Sequence, residues 1–414
     1  MENCTLINEC LACGSFESLR QILDLGNQPL ANNFRKSAEL QEVRYPLAVN
    51  RCSECNHLQL THAVNPKIIY ENYLYVSGTS RTYVEYMDWY ARFVREYFTH
   101  GDYVNTVLDI GCNDGSQLNA FSKFKCDTYG VDPAENLYPI SRLHHTVVQG
   151  FWDKEIAKQF NQKFDVITSQ NAFSHIPDPL AYLELAGKYL TSYGKIFIST
   201  SQADMVLNGE FDTIYHEHIS YYTAASMKAL AERAGLFLID VVKTPIHGTS
   251  YIFVLSRTPM NVNRVENILA MESIAGLDKT VTYLKWARGV DRLLVGIREE
   301  IQKFQSWGYH TIGYGAAAKG MTLLNTSQII LDAVIDDNPL KQGTWCPGTN
   351  IPVVGIDYLN RIPSTEHILF IPLAWNFYSE IKGRIQAVRN NEEDIFMKYF
   401  PNIKIDKNEY RTSY

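Results

Sequence analysis

The sequence predicts an α/β protein with a small cysteine-rich domain ahead of two open parallel sheets. Two Cys-x-x-Cys pairs near the N-terminus predict the first part. At two later places a short apolar run ends in a glycine-rich turn and a helical pattern, which is typical of a buried parallel strand that leads into a helix. The chain has 414 residues, enough for about two to three domains.

Composition and charge exclude several function classes. Hydrophobic residues make up 46% of the chain, and no low-complexity run is present, so we expect a globular protein. The formal net charge of -7 and the lack of a local basic patch argue against nucleic-acid binding. The first residues do not resemble a signal peptide, and no apolar stretch approaches the ~20 residues that span a bilayer. We therefore expect a cytoplasmic protein without a membrane segment.

Four of the eight cysteines form two matching pairs, Cys10 with Cys13 and Cys52 with Cys55. Two residues between ligands let both thiolates reach one ion, and two such pairs complete a tetrahedral site. In a reducing compartment, metal ligation is favoured over disulfides. The spacing therefore predicts a structural zinc ion, with a redox dithiol as the alternative. The remaining cysteines are expected to be ordinary thiols: Cys4, Cys112, Cys126 and Cys346.

The stretch TVLDIGCNDGSQLNAF, Thr106 to Phe121, joins a buried-strand pattern to a turn that contains Gly111 and Gly115. It lacks the GxGxxG spacing of a dinucleotide site, so a dinucleotide is disfavoured. The pattern DxGxNDGxxL resembles motif I of class I methyltransferases, whose cofactor is S-adenosylmethionine (SAM). SAM has no phosphate and needs only a close, glycine-lined backbone passage.

Further strand patterns follow in the order that a SAM-binding domain requires. TYGVDP ends with Asp132, where an acid can accept the ribose hydroxyls. KFDVITSQNAFSHIPDP predicts a strand whose end, Asn171 to His175, would face the cofactor, and YGKIFIST continues the sheet. The alternatives are a doubly wound domain that binds another nucleoside, and a domain that has kept this fold without catalytic activity. The candidate cofactor contacts are Asp109, Gly111, Asn113, Asp114, Gly115, Asp132, Asn136, Asn171 and His175.

A second α/β pattern follows a helical stretch from Val262 to Phe304. Its strands are predicted in YHTIGYG, in LDAVIDDNP, which ends with Asp336, and in HILFIPLAWNF. The turn GAAAKGM is not a Walker-type phosphate loop, because Lys319 precedes Gly320. A glycine-rich turn that opens a helix beside a lysine can still bind phosphate through backbone N–H groups. An empty structural turn is the alternative.

Taken with these segments, the chain resembles the SAM-dependent sugar C-methyltransferases that act on nucleotide-linked 4-keto-6-deoxy sugars. The resemblance rests on LDLGNQPLANNF, LDIGCNDG, NAFSHIPD, FDTIYHEHISYYT, PIHGTS, GYGAAAKGMTLLN and IPLAWNF. It implies a zinc-binding domain over residues 1–70, a class I SAM methyltransferase Rossmann-like domain over 71–260, and a helical linker with a Rossmann-like nucleotide-sugar domain over 261–414. Thr249, Met321 and Gly78–Thr79 depart from residues common in the family.

The resemblance also implies roles for single residues. The C-4 ketone of such a sugar acidifies the proton on C-3, and its removal gives an enolate that attacks the methyl group of SAM. His218 aligns with the general base, a task that histidine performs without a large pKa shift. Tyr215 and Glu217 line the same site, and Tyr75 supplies a phenol that can donate to the enolate oxygen. The expected substrate contacts are His247, Lys319 and Asn376.

Several alternatives remain open from the sequence. His216 and His218 would share a face of a strand and could bind a metal for metal-dependent methyl transfer or isomerisation, although the helical HExxH spacing is absent. Otherwise His216 is a support residue, and Tyr221 and Tyr222 are expected to be packing residues. Methylation at C-5, methylation of oxygen or nitrogen, and a non-catalytic assembly protein are the competing functions. We expect a monomer, whereas the nucleotide and the sugar stereochemistry stay open.

Overall fold

The computed structural model describes residues 3–70, 76–79, 81–98, 103–200, 204–246, 249–389 and 391–407. Tyr75 and His247 lie outside the described residues. The chain forms two compact units. Unit 1 comprises Met1–Gln21, Val49–Asp204 and Glu217–Thr280, and unit 2 comprises Ile22–Ala48, Met205–His216 and Val281–Tyr414. This division groups two internal segments with the C-terminal third, whereas the predicted domains 1–70, 71–260 and 261–414 follow chain order.

The N-terminal region is built from short antiparallel strands. Its elements are β1 (Cys4–Leu6), β2 (Leu19–Gln28), β3 (Tyr45–Cys52), β4 (Leu58–Leu60), β5 (His62–Val64) and α1 (Pro66–Tyr70). β1 pairs with β5, and β3 pairs with β4 across the turn that contains the second cysteine pair. Asn56 has a left-handed backbone in this turn, with φ 63°. The turn therefore presents both cysteines at one end of a hairpin.

A seven-stranded sheet forms the centre of unit 1, in the order β12–β13–β10–β9–β6–β7–β8. The strands of this part of the chain, of which β11 alone lies outside this sheet, are β6 (Thr106–Ile110), β7 (Asp127–Asp132), β8 (Thr146–Gln149), β9 (Phe164–Gln170), β10 (Leu190–Thr200), β11 (Ser220–Tyr221), β12 (Phe237–Thr244) and β13 (Ser250–Ser256). The helices are α2 (Arg81–Glu96), α3 (Ser116–Ser122), α4 (Tyr138–Ser141), α5 (Lys154–Ala157), α6 (Pro179–Lys188), α7 (Met205–Asn208), which belongs to unit 2, and α8 (Ala224–Arg233).

The predicted order of buried strands in this sheet is confirmed. β6 to β10 pair in parallel, β13 runs antiparallel to β10, and β11 pairs with β4 outside this sheet. Successive side chains of a strand point to opposite faces, so an apolar run such as that of β6 must be covered on both. One core contains Leu108 and Leu183, and the other contains Val107, Tyr90 and Phe121. Both faces of β6 are therefore buried.

Unit 2 contains a six-stranded sheet in the order β16–β15–β14–β17–β18–β19. Its strands are β14 (His310–Tyr314), β15 (Ala333–Ile335), β16 (Val353–Val354), β17 (Ile368–Pro372), β18 (Ile395–Lys398) and β19 (Lys404–Lys407). All pair in parallel except β19. Three more helices belong to unit 2, α10 (Thr280–Ser306), α11 (Ala318–Ser327) and α12 (Tyr378–Val388), whereas α9 (Val262–Ile274) belongs to unit 1.

The helical stretch and the second strand predicted in the C-terminal third are present, with two differences in detail. The stretch from Val262 to Phe304 is two helices, because the chain leaves α9 at Ala275 and Gly276 has φ 79°. β15 ends at Ile335, so Asp336 lies just beyond the strand rather than within it. In the described part of the chain, none of the helices combines the length and the apolar character that crossing a membrane requires.

Candidate active site and metal centre

The four paired cysteines converge in unit 1. The sulfur atoms of Cys10, Cys13, Cys52 and Cys55 all lie within 4.8 Å of one another, and none of these cysteines forms a disulfide. Cys10 Sγ and Cys55 Sγ are 3.5 Å apart, as are Cys13 Sγ and Cys52 Sγ. Tetrahedral zinc with Zn–S bonds of about 2.3 Å places its sulfurs about 3.8 Å apart. The cluster therefore fits a zinc ion that takes all four ligands from the protein.

Nearby polar groups support this cluster. The hydroxyl of Ser18 lies 3.0 Å from Cys52 Sγ, and the backbone N–H of Cys13 donates to Cys10 Sγ. Arg233 on α8 donates to the carbonyl oxygen of Ala12 within the first cysteine pair, at 2.7 Å. Donors of this kind orient the ligands and stabilise the negative charge of thiolates. The cysteines are thus arranged for an architectural metal without an open position.

The turn after β6 is shaped by a glycine that no other residue could replace without strain. Gly111 has φ 87°, and a Cβ added to it would lie 2.6 Å from Cβ of Ala172. Asp132, at the end of β7, fixes the same turn. Its Oδ2 accepts the N–H of Asn113 at 2.8 Å, and its Oδ1 accepts the N–H of Ala134 at 2.9 Å. The ends of three strands therefore meet around this turn, as the sequence predicts.

Three polar side chains at or near these strand ends have buried atoms without partners. Within the described residues, Asp109 Oδ1, Asn171 Oδ1 and His175 Nε2 are buried and have no hydrogen-bond partner. Burial raises the pKa of Asp109 to about 8. Buried polar groups are normally paired in folded proteins, so a group of such atoms indicates a ligand. Together with the glycine cradle, they fit SAM, which offers an ammonium group and ribose hydroxyls.

The remaining predicted cofactor residues lie around the same turn. Asn113 Oδ1 accepts the backbone N–H of Ser77, and Asp114 Oδ2 accepts that of Gly78, both at 2.9 Å. Gly115 has φ 84°. These contacts place the segment 76–79 directly against the turn. Asn136, by contrast, is exposed in the loop after β7.

His218 is buried in a stack of aromatic rings in unit 1. Its ring centroid lies 5.1 Å from that of His175, which in turn stacks on Tyr70 at 5.5 Å. The hydroxyl of Tyr70 donates to the carbonyl oxygen of Glu217, and the N–H of Ile219 donates to the carbonyl oxygen of Ser174. The structure therefore brings His218 and Glu217 to the loop that follows β9.

The charge state of His175 matters for this stack. Burial lowers the pKa of His175 to about 4, so this imidazole is neutral at pH 7. A neutral neighbour does not repel a proton that arrives on His218, whereas a second imidazolium would. His218 therefore stacks on a neutral imidazole in the loop after β9.

Three of the predicted residues belong to unit 2. All residues from 210 to 222 are buried except Tyr215, which keeps partial access to solvent. Lys319 lies in the first turn of α11, with Nζ 3.9 Å from Glu210 Oε2 and 5.1 Å from the ring centroid of Trp375. Asn376 is exposed in the short turn after β17. The described contacts of unit 2 thus bring Lys319 close to the segment that contains Tyr215.

The metal-binding alternative for the two histidines has no support in the described geometry. Residues 215–219 do not form a strand, so His216 and His218 share no strand face. His216 Nε2 lies 3.2 Å from the carbonyl oxygen of Tyr45 in unit 2, and burial lowers its pKa to about 4. Across the described ranges, only the four cysteines form a group that could hold a metal. Tyr221 and Tyr222 are buried, as expected of packing residues.

Sequence reasoning missed two contributors to the site. Tyr70 ends α1 and stacks on His175, and Tyr83 on α2 receives a hydrogen bond from Asn171 Nδ2 at 3.2 Å. Their local sequences contain no motif that distinguishes them from the many other tyrosines. Only the packing of α1 and α2 beside the strand ends identifies them.

Three family models match the chain one after another, with short gaps between them. A zinc binding domain matches residues 10–70, a methyltransferase domain residues 81–241, and a C-methyltransferase C-terminal domain residues 245–401. The chain is also 29% identical over 392 residues to C-methyltransferase NovU of Streptomyces niveus, an alignment that covers 91% of each protein. Over nearly its whole length the chain is therefore similar to SAM-dependent C-methyltransferases. This confirms the predicted fold class and the predicted cofactors, SAM and zinc.

Other relatives match this C-methyltransferase over its central part. The ubiquinone biosynthesis O-methyltransferase of Idiomarina loihiensis is 29% identical over 199 residues, which is 43% of this chain and 80% of that protein. Among solved structures, the plantazolicin methyltransferase BpumL in complex with SAH matches with a TM-score of 0.34 and 18% identity, over 43% of this chain and 86% of that one.

Proposed function

We propose that this C-methyltransferase methylates C-3 of a nucleotide-linked 4-keto-6-deoxy sugar, in the biosynthesis of a branched deoxysugar. The observation that supports this most directly is the buried His218 stacked on the neutral His175 at the end of β9. Methylation of carbon requires removal of a C–H proton, and a ketone next to that carbon makes the removal possible near neutral pH. A sheltered imidazole beside the cofactor edge suits this task.

The chemistry follows from the ketone. His218 takes the proton from C-3, and the electron pair left behind is delocalised onto the C-4 oxygen as an enolate. Tyr75 donates a hydrogen bond to that oxygen, and Tyr215 donates another, because a phenol stabilises developing negative charge. SAM, when bound, supplies the electrophilic methyl group. The proton then passes from His218 to solvent, which restores the base for the next turnover.

The other predicted residues would divide the remaining tasks. The ribose of SAM would lie at Asp132, and its amino-acid end beside the turn at Asn113 and Gly115. His247 would contact the sugar from the PIHGTS segment. Lys319 is suited to a phosphate of the nucleotide, since its Nζ has no hydrogen-bond partner in the described part of the chain. Asn376 would contact the same nucleotide.

The experiment that tests the proposal combines the purified protein with SAM and a panel of dTDP- and GDP-linked 4-keto-6-deoxyhexoses. Mass spectrometry should show the gain of one methylene mass on one of them, and NMR should place the new methyl group on C-3. A methyl group on C-5 would identify the alternative position, and one on oxygen would refute carbon methylation. In deuterated water without SAM, the substrate should exchange its C-3 proton, which methylation of oxygen does not require.

A His218→Ala variant tests the assignment of the base. We expect kcat to fall by about 10²- to 10⁴-fold, the usual contribution of a general base, while SAM affinity stays unchanged. His144→Ala is the control, because His144 is an exposed histidine of the same unit. Turnover of His218→Ala at the wild-type rate would contradict the role of His218.

A further inference from the structure

Asp212 is a buried carboxylate held by two aromatic donors of unit 2. Its Oδ2 accepts the indole N–H of Trp375 at 2.8 Å and the hydroxyl of Tyr399 at 2.9 Å. Trp375 follows β17, and Tyr399 follows β18 directly. β17 and β18 are neighbouring parallel strands, so their carboxyl ends meet at the same edge of the sheet. Asp212 is therefore bound to the edge of the C-terminal sheet.

Two more hydrogen bonds hold the same segment on either side of Asp212. Trp286 on α10 donates its indole N–H to the carbonyl oxygen of Glu210 at 2.9 Å. Thr322 on α11 donates its hydroxyl to the carbonyl oxygen of Ile214 at 3.1 Å. The segment is thus anchored at Glu210 and Ile214 through backbone carbonyls and at Asp212 through its side chain. The last anchor lies one residue before Tyr215.

The environment of this segment indicates a directional role for Asp212. Phe211, Asp212, Thr213 and Ile214 are buried, whereas Tyr215 keeps partial access to solvent. A buried carboxylate is costly, and an apolar side chain would fill the same space more simply. Hydrogen bonds from two fixed donors set a direction as well as a position, which apolar packing does not.

We propose that Asp212 is a positioning residue that sets the backbone from which Tyr215 presents its phenol to the substrate. The proposal rests on the proposed function, in which Tyr215 donates to the enolate oxygen. Trp375 and Tyr399 act through Asp212 rather than on the substrate. Loss of this anchor shifts Tyr215, and displacement of a positioned group by about 1 Å can cost roughly 100-fold in rate.

A series of variants separates positioning from packing. Asp212→Ala removes both hydrogen bonds. Asp212→Asn keeps an amide oxygen for both donors, and its NH₂ group takes the place of Oδ1, which has no hydrogen-bond partner among the residues that the structure describes. Tyr399→Phe removes one of the two bonds, and with it the contact of the Tyr399 hydroxyl with the carbonyl oxygen of Leu373 at 2.9 Å. The matched control is Tyr378→Phe, which removes a similar bond from Tyr378 to Asp406 Oδ2 (2.7 Å) elsewhere in unit 2.

Steady-state kinetics gives the catalytic readout. We expect Asp212→Ala to lower kcat for the sugar about 100-fold with the KM for SAM unchanged, and Asp212→Asn to retain most of the turnover. Tyr399→Phe should lower kcat by roughly 10-fold, because one of the two anchors remains. Tyr378→Phe should lower the melting temperature by less than Tyr399→Phe, because Tyr378 is only partly buried, and should leave kcat at the wild-type value.

Hydrogen exchange measured by mass spectrometry gives a readout that needs no sugar. Peptides that cover residues 205–216 should lose protection in Asp212→Ala and keep it in Asp212→Asn. Lost protection in Asp212→Ala together with unchanged kcat would overturn the proposal, as would equal losses of kcat in Tyr399→Phe and Tyr378→Phe. Inactivity of Asp212→Asn would show that the charge is needed, and would overturn it too.

The two readouts also distinguish failure of the proposed function. If wild-type protein methylates none of the sugars, the proposed substrate is wrong. Loss of exchange protection in Asp212→Ala, with its retention in Asp212→Asn, would still support the anchoring of this segment. Unchanged protection in Asp212→Ala would overturn the anchoring, whichever substrate the enzyme uses.

Discussion

The two parallel sheets of this C-methyltransferase use the same turn after their first strand. Gly111 after β6 has φ 87°, and Gly315 after β14 has φ 96°. Each donates its N–H at 2.7 Å to a carbonyl oxygen near the end of the neighbouring strand, that of Val131 in β7 and that of Ile335 in β15. An aspartate at the end of that neighbouring strand, or one residue beyond it, accepts two backbone N–H groups. These are Asp132, with donors Asn113 and Ala134, and Asp336, with donors Ala316 and Asn338.

The side chains around the two turns differ completely. Two residues before the glycine, β6 contains Asp109, which is buried and has an unpartnered Oδ1 among the described residues. At the same place β14 contains Gly313, where an added Cβ would meet Leu331, Val334 and Leu373 at 3.0–3.1 Å. Among the described residues, the position two residues before the turn glycine therefore holds an unpartnered acid in unit 1 and a closely packed glycine in unit 2. A glycine turn alone does not define a cofactor site.

The metal provides the largest expected difference between the two units. In Cys52→Ser we expect loss of zinc and of hydrogen-exchange protection in β4 and β5, while β14 and β17 of unit 2 keep theirs. Binding of zinc to small structural sites is worth about 10–16 kcal/mol, much of it folding free energy. Zinc analysis and exchange mass spectrometry check this. Cys126→Ser, a buried cysteine outside the pairs, is the control, and a zinc-free Cys52→Ser protein with full protection would contradict it.

The buried acid of β6 should give unit 1 a pH dependence. Burial raises the pKa of Asp109 to about 8, so the folded protein keeps a proton that the unfolded chain releases near pH 4. Between these values the free energy of unfolding should fall as pH rises, by at most about 1.4 kcal/mol per pH unit. Asp109→Asn should remove this slope in urea titrations without SAM, measured at several pH values.

Asp165→Asn is the control for that titration. The carboxylate of Asp165 accepts hydrogen bonds from the N–H groups of Asn105 and Thr106 and from the hydroxyl of Thr191. An amide there can offer its oxygen to the two N–H groups, but its NH₂ group then takes away the acceptor of the Thr191 hydroxyl, so Asp165→Asn should destabilise the protein at every pH. A slope that persists unchanged in Asp109→Asn would show that another group causes it.

The glycine turns give the smallest of these effects and the closest comparison. Gly111→Ala should lower SAM affinity by roughly 10- to 100-fold, because strained backbone costs about 1–3 kcal/mol and the new Cβ overlaps Ala172. Gly315→Ala should lower stability and leave SAM affinity unchanged. Gly235→Ala controls for backbone strain alone, since Gly235 has φ 70° and no atom near its Cβ position. Calorimetry that finds equal SAM affinities for Gly111→Ala and Gly315→Ala would contradict the comparison.

Much of the fold and part of the site could be predicted from the sequence. The cysteine pairs, the strand order around Gly111 and Asp132, and the second sheet follow from short-range patterns. The division into units could not be predicted, because residues 22–48 and 205–216 join the C-terminal third only through distant contacts. The break after α9 was also missed, since the charged helical periodicity continues past Gly276. The roles of the individual site residues stay predictions.

The sequence by itself determined what depends on neighbours along the chain. Cys-x-x-Cys spacing brings two thiolates to one ion, an apolar run forms a buried strand, and a glycine at a strand end permits positive φ. Only the tertiary structure decided which strand ends, loops and side chains come together. His218 stacks on His175 because the loop after β9 pairs with the residue that follows His218, and Asp212 binds Tyr399 across 187 residues. Such contacts depend on strand order and packing, which no local pattern encodes.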